Sequence, residues 1–129
     1  MVHDGKLVRR AEMPTRADVG GEVTLGVLKQ VIRALWTPDC EAIGLGVASV
    51  VDRERGIAYD FSNIAGWDCV PLNEMMQSEF GVPVFVDNDA NCFALSERYF
   101  GQGHQFTEFV GVTLGTGVGA GIIHRGALL

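Results

Sequence analysis

The hydrophobic positions along the chain follow two spacings, one typical of helices and one typical of buried strands. Apolar residues recur at helical spacing in Leu25–Trp36, which predicts an amphipathic helix. The continuous apolar stretch Ala42–Val51 is short enough for a buried parallel strand. A second helix is predicted over Val70–Phe80, beginning near Pro71 and ending at Gly81. Strands and helices in this arrangement predict an α/β fold.

Shorter strands are predicted between and beyond these elements. Their ranges are Leu7–Met13, Ile57–Phe61, Phe109–Leu114 and Ala120–His124. The first of them follows a turn at His3–Lys6, and nothing before that turn suggests a strand, so no hairpin partner is expected for it. The last two flank a glycine turn and predict a hairpin.

A polar turn between a strand and a helix is the most informative stretch for chemistry. The strand Val82–Val86 is followed by the turn Asp87-Asn88-Asp89. In α/β proteins the carboxyl ends of the strands border the ligand crevice. The helix dipole favours an ionised carboxylate there, and a charged carboxylate beside an amide can take a proton from a hydroxyl. The alternative is that Asp87 or Asp89 simply caps the helix. The apolar face predicted for that helix consists of Ala90, Phe93, Ala94 and Leu95.

The second chemical feature is the glycine-rich stretch Leu114–Ile122. Its glycines are Gly115, Gly117, Gly119 and Gly121. Glycine lets backbone N–H groups approach an anion closely, and the Thr116 hydroxyl adds a donor. The stretch joins two strands, whereas a P-loop or a dinucleotide fingerprint opens a helix, so it is neither of these motifs. Taken alone, it is interpreted by default as a structural tight turn.

Composition and charge exclude several classes of protein. Hydrophobic residues make up 47% of 129 residues, enough for one core and too many for disorder. The net charge of −6, without a cluster of Lys and Arg, argues against a nucleic-acid partner. The three cysteines Cys40, Cys69 and Cys92 lack zinc-ligand spacing and predict free thiols in a reducing compartment. With no secretory h-region and no apolar run of about 18 residues, a cytoplasmic protein without a membrane partner is predicted.

Five segments together resemble the ROK family (repressors, open reading frames and sugar kinases) of the actin/hexokinase-like superfamily. They are Gly5–Thr15, Ile43–Asp52, Asn63–Trp67, Pro83–Glu97 and Leu114–Gly121. The third is similar to the family's N-x-x-G-W motif, the fourth to its PV-x-V-x-NDAN motif, and the fifth to its LGTG-x-G-x-G hairpin. The resemblance extends over essentially the whole chain, and NDAN followed by GTGVGAG is a specific combination.

The resemblance implies an α/β, ribonuclease H-like fold of which this chain holds a part. Residues 1–106 would form the small domain without its first strands, and residues 107–129 would begin the large domain with its first β-hairpin. The family's phosphate- and magnesium-binding D-x-G-G-T motif is not found, and neither is its structural zinc motif. Asp18–Glu22 looks similar to D-x-G-G-T, but no apolar strand leads into it, so it is interpreted as a loop that begins the first helix.

The resemblance also implies roles for individual residues. Asp89 would be the general base that takes the proton from the sugar hydroxyl. Sugar binding is implied for Asn88, Asn63, Gly66 and Ser49. Contact with the nucleotide phosphates is implied for Gly115, Thr116, Gly117 and Gly119. No metal ligand is implied among these residues.

The function implied for the full-length parent is phosphorylation of a hexose or N-acetylhexosamine by ATP with Mg²⁺, in a homodimer. The fragment alone is expected to be inactive. One alternative is the effector-binding domain of a ROK transcriptional repressor, and another is a catalytically silent binding protein. The intact turn Gly115–Gly117 favours the kinase, because repressors of the family often lose it.

Overall fold

The computed structural model describes all residues from Met1 to Leu129, which form ten short strands and three α-helices. The helices are α1 (Gly21–Leu35), α2 (Leu72–Phe80) and α3 (Asp89–Phe100). The strands are β1 (Val2–His3), β2 (Lys6–Leu7), β3 (Ile43–Val47), β4 (Val50–Asp52), β5 (Ile57–Tyr59), β6 (Cys69–Val70), β7 (Val84–Asn88), β8 (Phe109–Leu114), β9 (Val118–His124) and β10 (Ala127–Leu128). Short 3-10 turns lie at Ala17–Val19 and Gln102–Gln105.

The strands form four small sheets, and the parallel pair β3–β7 positions the site. Ile43 lies opposite Val84 at one end of this pair, and Val47 lies opposite Asn88 at the other. The remaining sheets are antiparallel, in the orders β1-β2, β4-β5-β6 and β10-β9-β8. Because β3 and β7 are parallel, their carboxyl ends meet at one edge, as the α/β pattern predicts.

The core lies where α2 packs against the parallel pair and the β4-β5-β6 sheet. Its six buried residues are Ala58, Val70, Leu72, Met76, Val84 and Val86. Partly buried residues of α1, among them Leu25, Leu28 and Ile32, pack against the same cluster. The helical periodicity that predicts α1 therefore identifies the face that contacts the core. No helix is both long and apolar enough to cross a membrane.

The predicted strand Leu7–Met13 is wrong. The strand β2 ends at Leu7, and it pairs with β1, a strand that was not predicted. The N–H groups of Val8 and Arg9 both donate to the carbonyl oxygen of Met1, which closes this hairpin instead of extending it. Leu7 and Val8 are exposed, so the segment has no buried face that would hold it as a longer strand.

The apolar stretch Ala42–Val51 forms two strands instead of the single one predicted. A bend at Ala48 and Ser49 separates β3 from β4. The Ser49 side chain is buried and donates its hydroxyl proton to the carbonyl oxygen of Tyr59, which lies on the antiparallel partner of β4. The break depends on this tertiary contact, which a local apolar pattern does not contain.

Other boundaries differ by a few residues. Helix α1 begins at Gly21, before the predicted Leu25, and Gly21 packs under the Trp67 ring where a β-carbon would collide with the indole. Strand β7 continues to Asn88 because it keeps pairing with β3. Strand β5 ends at Tyr59 and β9 already begins at Val118. The bounds of β8 are confirmed, as are the Pro71 start and the Gly81 end of α2.

Candidate functional site

The candidate site lies where β7 continues directly into α3. Gly46 lies opposite Asp87 and Val47 opposite Asn88, so these side chains stand at the carboxyl edge of the parallel pair. Asp89 is the first residue of α3. The predicted polar turn is therefore a strand end and a helix start without a separate loop.

An amide, and neither of the neighbouring carboxylates, caps α3. The Asn88 Oδ1 accepts hydrogen bonds from the backbone N–H groups of Ala90 at 2.9 Å and Asn91 at 3.3 Å. The interpretation of Asp87 or Asp89 as the cap is therefore wrong. The Asp89 Oδ1 only shares the Ala90 N–H, at 2.9 Å, and its residue is exposed. The Asp89 carboxylate thus remains available to a ligand.

The Asn88 side chain also joins the two strand ends. Its Nδ2 donates to the carbonyl oxygen of Ser49 at 3.1 Å, across the bend that follows β3. This hydrogen bond brings Asn88 and Ser49 together, and their role in sugar binding stays a prediction. The Ser49 hydroxyl donates its one proton to the carbonyl oxygen of Tyr59, with the carbonyl oxygen of Val50 3.2 Å away, so the hydroxyl is used within the fold.

A cavity of about 500 Å³ adjoins the N-terminal end of α3. Asp89 and Asn63 supply polar groups to its lining. Its apolar wall includes Val27, Leu28 and Val31 of α1 together with Phe61, Trp67 and Leu72. No sequence motif marks the α1 residues as cavity-lining, because any amphipathic helix would show the same periodicity.

The loop that carries Asn63 and Gly66 is closed on itself. The N–H of Phe61 donates to the carbonyl oxygen of Trp67 at 3.2 Å, and their rings meet edge to face with centroids 4.9 Å apart. Asn63 reaches the cavity lining from this loop. Gly66 adopts a left-handed φ of 78° and does not line the cavity, so its place in the structure is that of a turn residue.

The β8–β9 hairpin packs against α3 through glycines. A β-carbon on Gly121 would lie 2.6 Å from Ala94 Cβ, and one on Gly119 would lie 2.8 Å from Ala90 Cβ. This contact with the first turns of α3 places the glycine turn at the same end of the helix as Asp89. Gly115 and Gly117 have open space around them and no positive φ, so packing does not require glycine there.

The glycine turn is exposed at Gly115, Thr116 and Gly117. The Gly115 N–H donates to the Gly117 carbonyl oxygen at 3.0 Å and closes the turn. No group of three His, Cys, Asp or Glu side chains could hold a metal ion. Burial, followed by the charges of Asp87 and Asp89, raises the pKa of the Cys92 thiol.

Comparison with known proteins decides the family. The model of the ROK family matches residues 2–129. The chain belongs to the ROK family. A glucokinase of Thermotoga maritima is 34% identical over 127 residues, covering 98% of this chain and 40% of that protein. A xylose repressor of Caldicellulosiruptor bescii is 38% identical over 96 residues, covering 74% of this chain and 24% of that protein.

Solved structures place the ROK chain in the same fold. A ROK glucokinase of Streptomyces griseus, determined in complex with glucose and AMPPNP, superposes with a TM-score of 0.77 at 35% identity. The match covers 85% of this chain and 35% of that protein. The fold predicted from the motifs, an incomplete portion of the actin/hexokinase architecture, is confirmed. The chain spans about 40% of the length of the curated glucokinase relatives.

Two charged residues near Asp89 received no site role from the sequence, namely Asp87 and Arg53. The Asp87 carboxylate accepts hydrogen bonds from the Asn88 N–H and the Asn91 side chain, so its position is fixed from α3. Arg53 Nη1 lies 3.8 Å from Asp87 Oδ2 and reaches it from the β4–β5 turn. In the sequence, the only signal for Asp87 was its position in the polar turn before Asn88. No pattern pointed to Arg53.

Proposed function

We propose that this ROK chain is part of an ATP-dependent sugar kinase that phosphorylates a hexose hydroxyl, with Asp89 as general base. The observation that carries the proposal is the exposed carboxylate of Asp89, which is not the cap of α3. Asn88 makes the capping hydrogen bonds of α3, and Asp89 lines the cavity that Asn63 also lines. A carboxylate that is exposed and held at a helix start is suited to accept a hydroxyl proton.

The chain's own residues would orient and deprotonate the sugar. The proton of the attacking hydroxyl passes to a carboxylate oxygen of Asp89, while the Asn63 side chain, and an Nδ2 hydrogen of Asn88 beyond the one given to Ser49, offer hydrogen bonds to other hydroxyls. ATP supplies the phosphoryl group. The backbone N–H groups of Thr116 and Gly117 would contact its phosphates, while the Gly115 N–H closes the turn by donating to the Gly117 carbonyl oxygen. Phosphoryl transfer requires mainly this positioning and charge stabilisation.

Glucose is the first sugar to test, because the Streptomyces griseus relative was solved with glucose and AMPPNP. The second candidate function is a sugar-binding effector domain of a repressor, which the likeness to a xylose repressor supports. The two functions differ in one measurable step. An effector domain binds sugar without transferring phosphate, whereas a kinase consumes ATP in proportion to the sugar added.

The first prediction tests Asp89. In the full-length protein, Asp89→Asn is expected to lower kcat by at least about 100-fold while sugar binding stays intact, because an amide cannot accept the proton. A coupled kinase assay with glucose and N-acetylglucosamine measures kcat, and calorimetry measures sugar binding. Asp18→Asn, in the exposed loop that resembles D-x-G-G-T, is the matched control. Near-normal turnover of Asp89→Asn would overturn the kinase mechanism.

A further inference from the structure

The carboxylate of Asp87 is largely buried, and the proposed phosphoryl transfer assigns it no role. It precedes the capping Asn88, and its side chain retains only 17% exposure. Its neighbour on the same side of β7, Phe85, is 68% exposed. A carboxylate held at this depth loses hydration and needs compensating hydrogen bonds.

Those hydrogen bonds all tie Asp87 to the first turn of α3. Asp87 Oδ1 accepts from the backbone N–H of Asn88 at 2.7 Å and from Asn91 Nδ2 at 2.8 Å. Asn88 and Asn91 flank Asp89, so the carboxylate fixes the chain on both sides of the proposed base. Hydrogen bonds to an ionised acceptor are roughly twice as strong as neutral ones, which makes this a firm attachment.

The second oxygen of Asp87 faces a cation from another element. Arg53 Nη1, on the turn between β4 and β5, lies 3.8 Å from Asp87 Oδ2. No other cationic side chain lies within 4.0 Å of Asp87, and the neighbouring Cys92 thiol stays neutral because its pKa is raised by burial and by Asp87 and Asp89. Arg53 therefore compensates the Asp87 charge beside Asp89.

We propose that Asp87 is a positioning residue of the phosphoryl-transfer site, holding Asp89 in its productive orientation, with Arg53 as its charge partner. This inference rests on the proposed kinase function. An asparagine at position 87 could accept the two hydrogen bonds, but its amide N–H₂ would face the Arg53 guanidinium, donor against donor. The carboxylate is therefore needed for the whole arrangement, and the first turn of α3 would shift without it.

The test is steady-state kinetics on variants of the full-length protein. Asp87→Asn is expected to lower kcat on the order of 10- to 100-fold, the effect of misplacing a catalytic group by about 1 Å. KM for sugar and for ATP should change little, and Tm should stay close to wild type. Asp87→Glu, which keeps the charge, should recover part of kcat. Asp4→Asn removes the same charge from an exposed turn and should have no effect.

Arg53→Gln provides an independent arm, since Arg53 is half exposed and its loss should leave the fold intact. It should lower kcat less than Asp87→Asn does. The double variant should lose less kcat than the two separate fold-changes multiplied together. Equal kcat for Asp87→Asn and Asp4→Asn overturns the inference, as does a kcat loss matched by a loss of Tm without rescue by glutamate. If Asp87→Asn does not fold, an unchanged kcat in Arg53→Gln overturns it.

The two proposals fail separately. Retained turnover in Asp89→Asn removes the kinase mechanism itself. Abolished turnover in Asp89→Asn together with normal kcat in Asp87→Asn leaves the kinase in place and removes only the positioning role.

Discussion

The glycines of the β8–β9 hairpin fall into two groups that differ in what surrounds them. A β-carbon on Gly121 would collide with Ala94 Cβ and with the carbonyl oxygen of Ala90, whereas one on Gly117 would meet nothing within 4 Å. Packing therefore explains glycine at 121 but not at 117. Under the proposed function, close approach of a phosphate to the backbone would explain glycine at the turn.

The difference between these glycines gives a matched pair of variants. Gly117→Val is expected to raise KM for ATP with Tm and sugar affinity nearly unchanged, because the side chain projects into the space proposed for phosphate. Gly121→Ala is expected to lower stability by about 1–3 kcal/mol through overpacking against α3. Kinase kinetics and thermal unfolding of the full-length protein measure both. Equal weakening of sugar and ATP binding by Gly117→Val would indicate a folding defect instead.

At the scale of elements, charged side chains attach α1 to α2. Lys29 Nζ donates to Glu79 Oε2 at 3.0 Å, and Arg33 bonds the other carboxylate oxygen. The hydrogen bond from Lys29, followed by the charge of Arg33, lowers the pKa of Glu79 against the opposing effect of burial. Because α1 forms a wall of the cavity, this contact helps to keep the cavity wall in place.

The lowered pKa predicts a pH-dependent contribution to stability. A carboxyl whose folded pKa is depressed stabilises the fold above its unfolded pKa, near 4.3 for glutamate, and loses that contribution as pH falls through the folded value. Glu79→Gln should therefore lower Tm at pH 7, and its difference from wild type should shrink below about pH 4. Glu41→Gln, an exposed residue without an ion pair, is the control. A difference in Tm that persists unchanged at low pH would contradict the interpretation.

Elements with local signals were predictable from sequence, and those set by distant contacts were not. Helix α2 matches its prediction because Pro71 and Gly81 act on their own backbone. The Ser49 side chain at the bend bonds to Tyr59, and Gly21 at the start of α1 packs under Trp67, so no local pattern contains these contacts.

The same distinction applies to the candidate site. Motif resemblance led to Asp89 and Asn63, and the structure places both on one cavity. Arg53 comes near Asp87 only because the β4-β5-β6 sheet brings its turn to the edge of β7. The roles of Gly66, Ser49 and the glycine turn in binding stay predictions.

The whole molecule leaves much apolar surface uncovered. Only 17 of 129 residues are buried, too few for a firm core in a domain of this size. One face of the hairpin is exposed and apolar, since Val110 lies opposite Ile122 and Leu114 opposite Val118. Strand β3 pairs with β7 alone, so one of its edges is unpaired. The expected division at residues 106 and 107 stays a prediction, although the hairpin packs on α3 instead of projecting freely.

These features predict the behaviour of the 129 residues expressed alone. Exposed apolar faces and unpaired edges promote association, so the isolated chain should self-associate and show no kinase activity. Sedimentation velocity and a coupled assay with glucose, N-acetylglucosamine and N-acetylmannosamine measure both properties. Val112→Glu, on the exposed hairpin face, should reduce association. A monodisperse, active monomer would overturn this prediction. Sedimentation velocity of the full-length protein would also test the homodimer implied for the parent.

The contact between glycine and alanine at α3 and the hairpin has an evolutionary consequence. Gly119 and Gly121 meet Ala90 and Ala94 with almost no side-chain volume between the two backbones. The distance from Asp89 to the glycine turn is thus determined by main-chain geometry. Under the proposed function, substitutions among the larger side chains around the cavity would alter which sugar fits. The distance from Asp89 to the glycine turn would stay constant. Such an arrangement lets one scaffold diversify in ligand choice without rebuilding its reaction centre.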